Sequence, residues 1–500
     1  MARRIRWFGV AMIVCFCALL IQLDNIQGLK ASQYQKAPNN PVTIEAEYAE
    51  PRGIIVTSDG VVVATSKPTP SSPYYKYERD YPTGSLFSQI VGFTSFNYGT
   101  FTGVESYYNS ELTFKTQPFK GLGDLISTEQ GTDTVVLTLS DKLQTLARQA
   151  LGTNEGAVVA LDPSTGDVLA MYSNPSFDPN PLASQSLTAE EAGWKAYNAP
   201  GPNGFVNGSP MAFERAFFPG STFKVITSAA AYDHDPQLAS GPQPYASTYQ
   251  PPGTNLSIHN AEPGPCGGTL QQMLPLSCDT GYARLGVELG AANLVAEATS
   301  FGFGARPPID LPTSPSSVSC MTLTLSTPCM SALSLESNQP FLAYSAIGQG
   351  NVQATPLQMA LVASGIADDG VIMKPHVMAR ILDPKDNVIQ TYQASPWLRA
   401  TSPQTAQAVS SLMQGVVSQP DGTAYHIFPA SWQVAAKTGT AQAAGATVDW
   451  MIAFAPATHP QIAIAVVVPD QALSASGATV SGPIVKAVLS GLPALAGSNG

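Results

Sequence analysis

Phe218-Pro219-Gly220-Ser221-Thr222-Phe223-Lys224 is the stretch from which the rest of the chain is best interpreted. Its Pro-Gly pair interrupts the chain and an apolar stretch follows, so we predict a helix over residues 221–232. Ser221 then lies in the first helical turn, where unpaired N–H groups and the positive end of the helix dipole favour a developing anion. Lys224 lies on the same helical face. A lysine made neutral by burial can take the serine proton, which predicts Ser221 as a nucleophile and Lys224 as its base.

Two further motifs support this interpretation, because Ser-x-x-Lys alone occurs on the order of once by chance in a chain of this length. Ser277-Cys278-Asp279 precedes a predicted helix over 280–292. Lys437-Thr438-Gly439-Thr440 ends an apolar, strand-like run over 432–436, and its glycine lets a substrate backbone come close. Taken singly, the two motifs read as a helix N-cap and an ordinary turn. Together they predict a three-sided site.

The segments around these motifs predict an α+β domain with an antiparallel sheet over residues 154–494. Its predicted strands lie at 156–161, 168–172, 432–436, 448–455 and 462–468, and a further helix is predicted over 356–367. Upstream, the runs 53–56 and 61–64 flank a turn at Gly60, and a strand over 134–139 leads to a helix capped by Ser140. We therefore expect a separate, elongated and mostly β domain over 31–153.

The first residues predict a membrane anchor. Basic residues precede an apolar run from Trp7 to Ile21, which Gln22 and Leu23 extend towards the roughly 17 residues that a span requires. No small-x-small cleavage site follows, so we expect a cytoplasmic tail at 1–6, an anchor at 7–26 and the remainder outside the cytoplasm. A cleaved secretion signal is the alternative.

The net charge and the cysteines limit which classes of ligand we expect. A net charge of −11 argues against a nucleic-acid partner. In an oxidising compartment the four cysteines beyond the anchor predict two disulfides in one of three pairings, and short loops favour Cys266–Cys278 with Cys320–Cys329. His259 is the only histidine near them in sequence and no Cys-x-x-Cys exists, so we expect no metal at the cysteines. Since the lysine–serine pair performs the proton transfer itself, we expect no organic cofactor either.

The three motifs resemble the Ser-x-x-Lys, Ser-x-Asn and Lys-Thr-Gly motifs of the penicilloyl-serine transferases. The chain is most similar to the class B penicillin-binding proteins, and within them to the actinobacterial penicillin-binding protein A group. The similarity covers nearly the whole chain. Residues 156–179 and 346–360 resemble parts of the transpeptidase domain, whereas Arg52-Gly53, Tyr81-Pro82-x-Gly84 and Gly103-Val104-Glu105 resemble packing and turn residues of the N-terminal pedestal domain.

The resemblance implies a peptidoglycan D,D-transpeptidase that is inhibited by β-lactams. Ser221 attacks the carbonyl between the last two D-alanines of a stem peptide, Lys224 is the general base, and Ser277 relays the proton to the leaving D-alanine. Lys437-Thr438-Gly439-Thr440 holds the terminal carboxylate, and the backbone N–H groups of Ser221 and Thr440 form the oxyanion hole. The acyl group then passes to an amine of a neighbouring strand.

Asp279, which we count among the substrate-binding residues, occupies the position at which the family's Ser-x-Asn motif usually has asparagine. A carboxylate near Lys224 favours the ammonium form, so we expect Asp279 to raise the pKa of Lys224 and weaken it as a base. Lys437 nearby offsets that charge. We therefore expect a functional site.

Three alternatives use the same motifs. A β-lactamase needs a water-activating base, and the acids between Lys224 and Ser277 are Asp233, Asp235 and Glu262, none of them in a Glu-x-x-x-Asn pattern. A D,D-carboxypeptidase passes the acyl group to water. An inactive scaffold or β-lactam sensor has Asp279 as its only support in the sequence. A sensor should also carry a cytoplasmic signalling domain, for which residues 1–6 leave no room.

The resemblance also implies partners. Residues 31–153 are too few for a glycosyltransferase domain, which implies a SEDS-type membrane glycosyltransferase beside the stem peptides and β-lactams. The sequence leaves open whether the enzyme serves septation or elongation, and which diamino acid the stem peptide carries.

Overall fold

The computed structural model describes residues 2–30, 48–69, 75–97, 99–100, 102–114, 131–311, 320–321, 336–350, 352–443, 445–492 and 495. Two sheets and the helices packed on them form its framework. The described α-helices are Ala2–Asp24, Ser88–Val91, Gly103–Tyr107, Asn109–Leu112, Asp141–Leu151, Asn180–Ala183, Leu187–Tyr197, Met211–Glu214, Lys224–His234, Pro236–Ser240, Leu270–Met273, Asp279–Ser300, Gln339–Ala346, Pro356–Ala367, Pro403–Ser418 and Ser481–Leu489. Shorter helical turns are Asn25–Leu29, Gly84–Leu86, Gly220–Phe223 and Ala430–Trp432.

A five-stranded antiparallel sheet lies at the centre of the catalytic region. Its strands, in spatial order, are Ala435–Ala443, Ala446–Ala455, Ile462–Gln471, Gly156–Leu161 and Val168–Asn174. Helices pack on both faces, so the inner strands read as continuous apolar runs and every residue of Gly156–Leu161 is buried. The predicted α+β class with an antiparallel sheet is confirmed.

The edge strand begins later than the sequence indicates. Residues Ala430–Trp432 form a tight helical turn, and Gln433 takes a left-handed conformation with φ 48° before the strand starts at Ala435. Lys437-Thr438-Gly439-Thr440 therefore lies within the strand Ala435–Ala443 and not at the end of one. Because the strand is at the sheet edge, one side of its backbone remains available to a ligand.

The second sheet has six strands and draws on both predicted domains. In spatial order they are Val388–Thr391, Met378–Leu382, Thr134–Leu137, Ile55–Val56, Val62–Pro68 and Tyr77–Asp80. The hairpin predicted around Gly60 is present, because Ile55–Val56 pairs antiparallel with Val62–Pro68. The hairpin 378–391 comes from the catalytic region and extends this sheet next to Thr134–Leu137. A division at residue 153 thus runs through a shared sheet.

Five two-stranded pairs complete the described strands. They are Thr94–Ser95 with Gly99–Thr100, Gln243–Ala246 with Cys266–Gly268, Thr248–Tyr249 with Ile258–His259, Cys320–Met321 with Val352–Gln353, and Val371–Met373 with Pro396–Arg399.

Residues that resemble the pedestal domain meet in a buried polar cluster. Arg52 Nε and Arg79 Nε each donate to Glu105, at 2.6 Å to Oε2 and Oε1 respectively. The Tyr81 hydroxyl donates to the same carboxylate at 3.3 Å and accepts the N–H of Thr94 at 2.9 Å. Arg52, Arg79 and Glu105 are almost completely buried. These residues hold the N-terminal region together, in line with the packing role expected from the sequence.

The N-terminal helix Ala2–Asp24 projects from the rest of the described chain. Within the stretch Arg3–Gly28, the most apolar 18 residues have a mean hydropathy of 2.0, and none of them is buried. By length and composition it is able to cross a membrane. The helix fits the predicted anchor.

Candidate active site

The serine turn is built by the residues around Ser221. Gly220–Phe223 forms a tight 3₁₀ turn that runs directly into the helix Lys224–His234. Gly220 has φ 53°, and its N–H donates to the carbonyl of Gly348 at 2.9 Å. A Cβ at Gly348 would lie 2.0 Å from the Gly220 oxygen, so only glycine allows this contact. The segment around Gly348 therefore supports the turn that presents Ser221.

Lys224 connects the serine turn to the second motif. Its side chain is 0% exposed, and Nζ lies 2.7 Å from Asp279 Oδ1. The same amine donates to the carbonyl oxygen of Ser277 at 2.7 Å and to its hydroxyl at 3.3 Å. Three acceptors therefore fix the position of the amine one helical turn from Ser221.

Ser277 is held in a left-handed conformation, with φ 57°. The neighbouring N–H of Cys278 donates to Met273, and Cys278 forms a disulfide with Cys266. That disulfide joins the motif to the strand Cys266–Gly268, while Cys320 and Cys329, the second expected pair, lie outside the side chains that the structure describes. The backbone conformation turns the Ser277 side chain towards the lysines.

Lys437 brings the third motif to the same hydroxyl. Its Nζ donates to Ser277 Oγ at 2.9 Å and to the Thr438 carbonyl at 2.8 Å. Ser277 Oγ has two lone pairs, so it can accept from both Lys224 and Lys437 and leave its own proton free to be donated elsewhere. The three predicted motifs meet at this atom.

Burial sets the protonation of both lysines. It lowers the pKa of Lys224, and the nearby Asp279 carboxylate opposes that effect without reversing it, so the pKa stays below the ordinary lysine value. The sequence predicts both contributions, the lowering by burial and the rise caused by Asp279, and the structure adds that desolvation is the larger of the two. Burial, followed by the charge of Lys224, brings the pKa of Lys437 well below its ordinary value. A neutral amine is accordingly accessible.

Gly439 allows the edge strand to approach the serine turn. A Cβ at this position would lie 2.7 Å from the Pro219 carbonyl oxygen and 2.9 Å from Thr222 Cγ2. The close approach is therefore to the chain's own serine turn, whereas the sequence suggested a substrate backbone. Trp450, opposite Gly439, strengthens this contact by donating its Nε1–H to Phe218 at 2.9 Å.

Thr438 and Thr440 bind neighbours that the motif did not indicate. The Thr438 hydroxyl lies 2.7 Å from that of Thr423. The Thr440 hydroxyl accepts the N–H of Gly477 at 3.1 Å. Thr423 and Gly477 belong to loops without any local sequence signal of a site, so only their spatial position reveals them. Within the described part of the chain, no group of three His, Cys, Asp or Glu side chains is arranged to hold a metal.

Two family matches cover most of the chain. Residues 156–490 match the penicillin binding protein transpeptidase domain, and residues 52–133 match the penicillin binding protein A dimerisation domain. The peptidoglycan D,D-transpeptidase PbpA of Mycolicibacterium smegmatis is 33% identical over 97% of this chain and 98% of its own length. PbpA of Mycobacterium tuberculosis is 32% identical over the same shares.

Solved structures agree with these matches. A penicillin-binding protein A from M. tuberculosis, described as a ceftriaxone acyl-enzyme complex, has a TM-score of 0.77 at 30% identity and covers 89% of this chain and 99% of its own. Another structure of the M. tuberculosis protein has a TM-score of 0.75 at 29% identity, with the same coverage. Since the transpeptidase match spans more than half of the chain and the PbpA relatives match over nearly their full length, the chain belongs to the class B penicillin-binding proteins.

Proposed function

We propose that this chain is a serine-type peptidoglycan D,D-transpeptidase that crosslinks stem peptides in cell-wall synthesis and is acylated by β-lactams at Ser221. The observation that carries the proposal is the Ser277 hydroxyl, which lies between the buried amines of Lys224 and Lys437 at 3.3 and 2.9 Å. Two amines with lowered pKa values on one hydroxyl form a route for a proton beside a nucleophile.

Acylation begins with proton transfer from Ser221 to the neutral amine of Lys224. The Ser221 oxygen attacks the carbonyl between the last two D-alanines, and the oxyanion is stabilised by the backbone N–H groups of Ser221 and Thr440. The positive end of the helix Lys224–His234 favours the same charge. Each such donor is typically worth about 3 kcal/mol of barrier lowering.

Breakdown of the tetrahedral intermediate requires a proton on the leaving nitrogen. Ser277 donates its proton to that nitrogen and is reprotonated by the ammonium of Lys224, to which it is already hydrogen bonded. The C–N bond breaks, D-alanine leaves and acyl-Ser221 remains. Lys437 supports this step by donating to the same Ser277 oxygen.

The edge strand is proposed to bind the terminal carboxylate of the acyl donor through Lys437, Thr438, Gly439 and Thr440. Two hydroxyls and an amine lie along this part of the strand, which suits a carboxylate. Asp279 is proposed to act on this group of residues through Lys224, with which it forms an ion pair at 2.7 Å.

The acids between the first two motifs argue against a β-lactamase. Asp233 accepts hydrogen bonds from the hydroxyls of Thr401 and Thr405, and Asp235 caps a helix by accepting the N–H of Leu238 at 2.9 Å. Both carboxylates are thereby engaged in structure rather than in activating water. Glu262, the third acid, is exposed.

The apolar N-terminal helix supports a membrane-bound enzyme. We propose that the basic residues at 1–6 lie in the cytoplasm and that the catalytic region lies outside. A transpeptidase of this kind requires a strand polymerase, and we propose a SEDS-type membrane glycosyltransferase as that partner.

Labelling with a fluorescent penicillin tests the proposal. We expect a covalent adduct on the detergent-solubilised full chain and none on Ser221→Ala, while Ser300→Ala, which changes a partly exposed serine at the end of a helix, labels like wild type. An adduct that persists in Ser221→Ala contradicts the mechanism. Incubation with a stem pentapeptide and an amine acceptor, followed by mass spectrometry, then distinguishes crosslinked product from the tetrapeptide that a carboxypeptidase releases.

A further inference from the structure

Asp449 is a buried carboxylic acid directly behind the substrate-facing edge strand. It pairs with Thr440 across the antiparallel ladder and is 0% exposed. The hydroxyls of Thr440 and Thr447 hydrogen bond to its carboxyl group, that of Thr447 at 3.4 Å. The acylation steps above give this residue no role. A buried acid in contact with a proposed substrate-binding hydroxyl nevertheless affects what that hydroxyl can bind.

The Thr440 hydroxyl lies between Asp449 and a turn that closes over the strand. It accepts the N–H of Gly477 at 3.1 Å. A Cβ at Gly477 would lie 2.0 Å from the Trp450 oxygen, so the turn is packed tightly against the sheet. With this acceptor bond made, the hydroxyl has one proton to donate, either to Asp449 or to a ligand.

The charged side chains on the elements that pack around Asp449 are few. They are Lys437 on the edge strand, Asp470 near the end of the strand Ile462–Gln471, and Lys486 on the C-terminal helix. The serine turn Gly220–Phe223 and the helix Pro356–Ala367 also contact the strand Ala446–Ala455, and neither contains a charged residue. None of these charged side chains in the described part of the chain contributes to the shift in the pKa of Asp449. Burial raises the pKa of Asp449 to about 6, and the two hydroxyls partly oppose this rise.

We propose that Asp449 is a positioning residue for Thr440 and weakens capture of the acyl donor's terminal carboxylate when it is ionised. The inference rests on the proposed function, in which Thr440 helps to bind that carboxylate. Ionised Asp449 accepts a hydrogen bond from the Thr440 hydroxyl and places a negative charge behind it, so the substrate carboxylate loses a hydrogen-bond donor and is repelled. Neutral Asp449 leaves the Thr440 proton free for the carboxylate. Asp449 thus links carboxylate recognition to pH.

The test compares wild type with Asp449→Asn, which keeps the shape and stays neutral. Acylation of the full chain by fluorescent penicillin is measured between about pH 5 and about pH 8, with separation of the noncovalent constant from the acylation step. We expect the variant-to-wild-type ratio of second-order rate constants to be about 1 at the acid end and on the order of ten at the alkaline end. The change lies in the noncovalent constant, because only carboxylate capture is affected.

Asp470→Asn is the matched control, since Asp470 is exposed and has φ 56°, a conformation that asparagine accepts. Its profile should overlay wild type. A ratio for Asp449→Asn that is constant across the pH range overturns the inference. Should Asp449→Asn not fold by circular dichroism, Asp449→Ala is measured in the same way and must give the same pH-dependent ratio. Absence of any wild-type adduct instead refutes the proposed function, so the two failures are distinguishable.

Discussion

Two buried clusters in this molecule hold the same kinds of charge and differ in what those charges can do. In the N-terminal region, Glu105 lies between Arg52 and Arg79 with a distance of 2.6 Å to each. In the active site, Asp279 lies 2.7 Å from Lys224, and Lys437 follows on the other side of Ser277. Each cluster thus combines two cationic side chains with one acidic side chain.

The difference lies in the cations. Burial raises the pKa of Glu105, but Arg79 and Arg52 lower it more, so the pKa stays below its ordinary value and the carboxylate remains charged. Arginine does not release its proton in proteins, and that cluster can only hold structure. Burial lowers the pKa of Lys224 and of Lys437, which brings neutral amines within reach. Burial therefore leaves the arginine cluster permanently charged and purely structural, whereas it allows a buried lysine to become neutral and accept a proton.

Lys224→Arg should reduce acylation more than any other change at the active-site cluster. Arginine can still pair with Asp279 but does not deprotonate, so we expect acylation by penicillin to fall by about a thousand-fold. Rates of fluorescent adduct formation measure this, and thermal melting verifies the fold. Arg79→Lys is the matched change in the other cluster and should leave the acylation rate of folded protein within about two-fold. A Lys224→Arg variant that acylates at a rate close to wild type is incompatible with lysine as the base.

Glu105→Gln should break the N-terminal cluster. It leaves two buried guanidinium groups without their carboxylate, and we expect a loss of about 3–5 kcal/mol in the free energy of unfolding, seen in thermal or denaturant melts. Because the pKa of Glu105 is lowered on folding, its stabilisation is present above the ordinary value of 4.5 and lost as the pH falls through the folded value. The difference in the free energy of unfolding between wild type and Glu105→Gln should therefore become smaller at acidic pH.

Lys67→Ala provides the comparison for Glu105→Gln. Lys67 is 51% exposed and lies 3.5 Å from Glu78 and 3.1 Å from Asp80. Exposed pairs of this kind contribute less than about 1 kcal/mol. An equal loss of stability in Lys67→Ala and Glu105→Gln would show that burial does not increase the contribution of the arginine cluster to stability.

Asp279→Asn should change the rate of acylation only modestly. Asp279 raises the pKa of Lys224 against the larger lowering by burial, so its removal shifts this pKa further down. More of the amine is then neutral at mildly acidic pH, and we expect acylation near pH 6 to rise by roughly several-fold. The pH profile of labelling measures this. A profile unchanged from wild type, or displaced to higher pH, rules out the electrostatic role assigned to Asp279.

Local patterns in the sequence were sufficient to predict much of the fold and to identify the residues of the active site. The helix Pro356–Ala367 and the strand Gly156–Leu161 have the predicted bounds, because their boundaries are marked by a threonine cap and by turn residues. Ser221 and Lys224 lie one helical turn apart, as their spacing predicts, with Ser221 in the 3₁₀ turn that leads into the helix beginning at Lys224. These relationships need no distant partner.

From the amino-acid sequence alone follow the members of the three motifs, the position of the anchor-like helix and the α+β class of the domain. The fold decided how the hairpin 378–391 joins the N-terminal sheet, and that Lys224 and Lys437 share the Ser277 hydroxyl. It also decided that burial outweighs Asp279 and that Asp449 lies behind Thr440. The physical reason is that desolvation and strand register depend on residues far apart in the chain, whereas helical spacing and capping depend on neighbours.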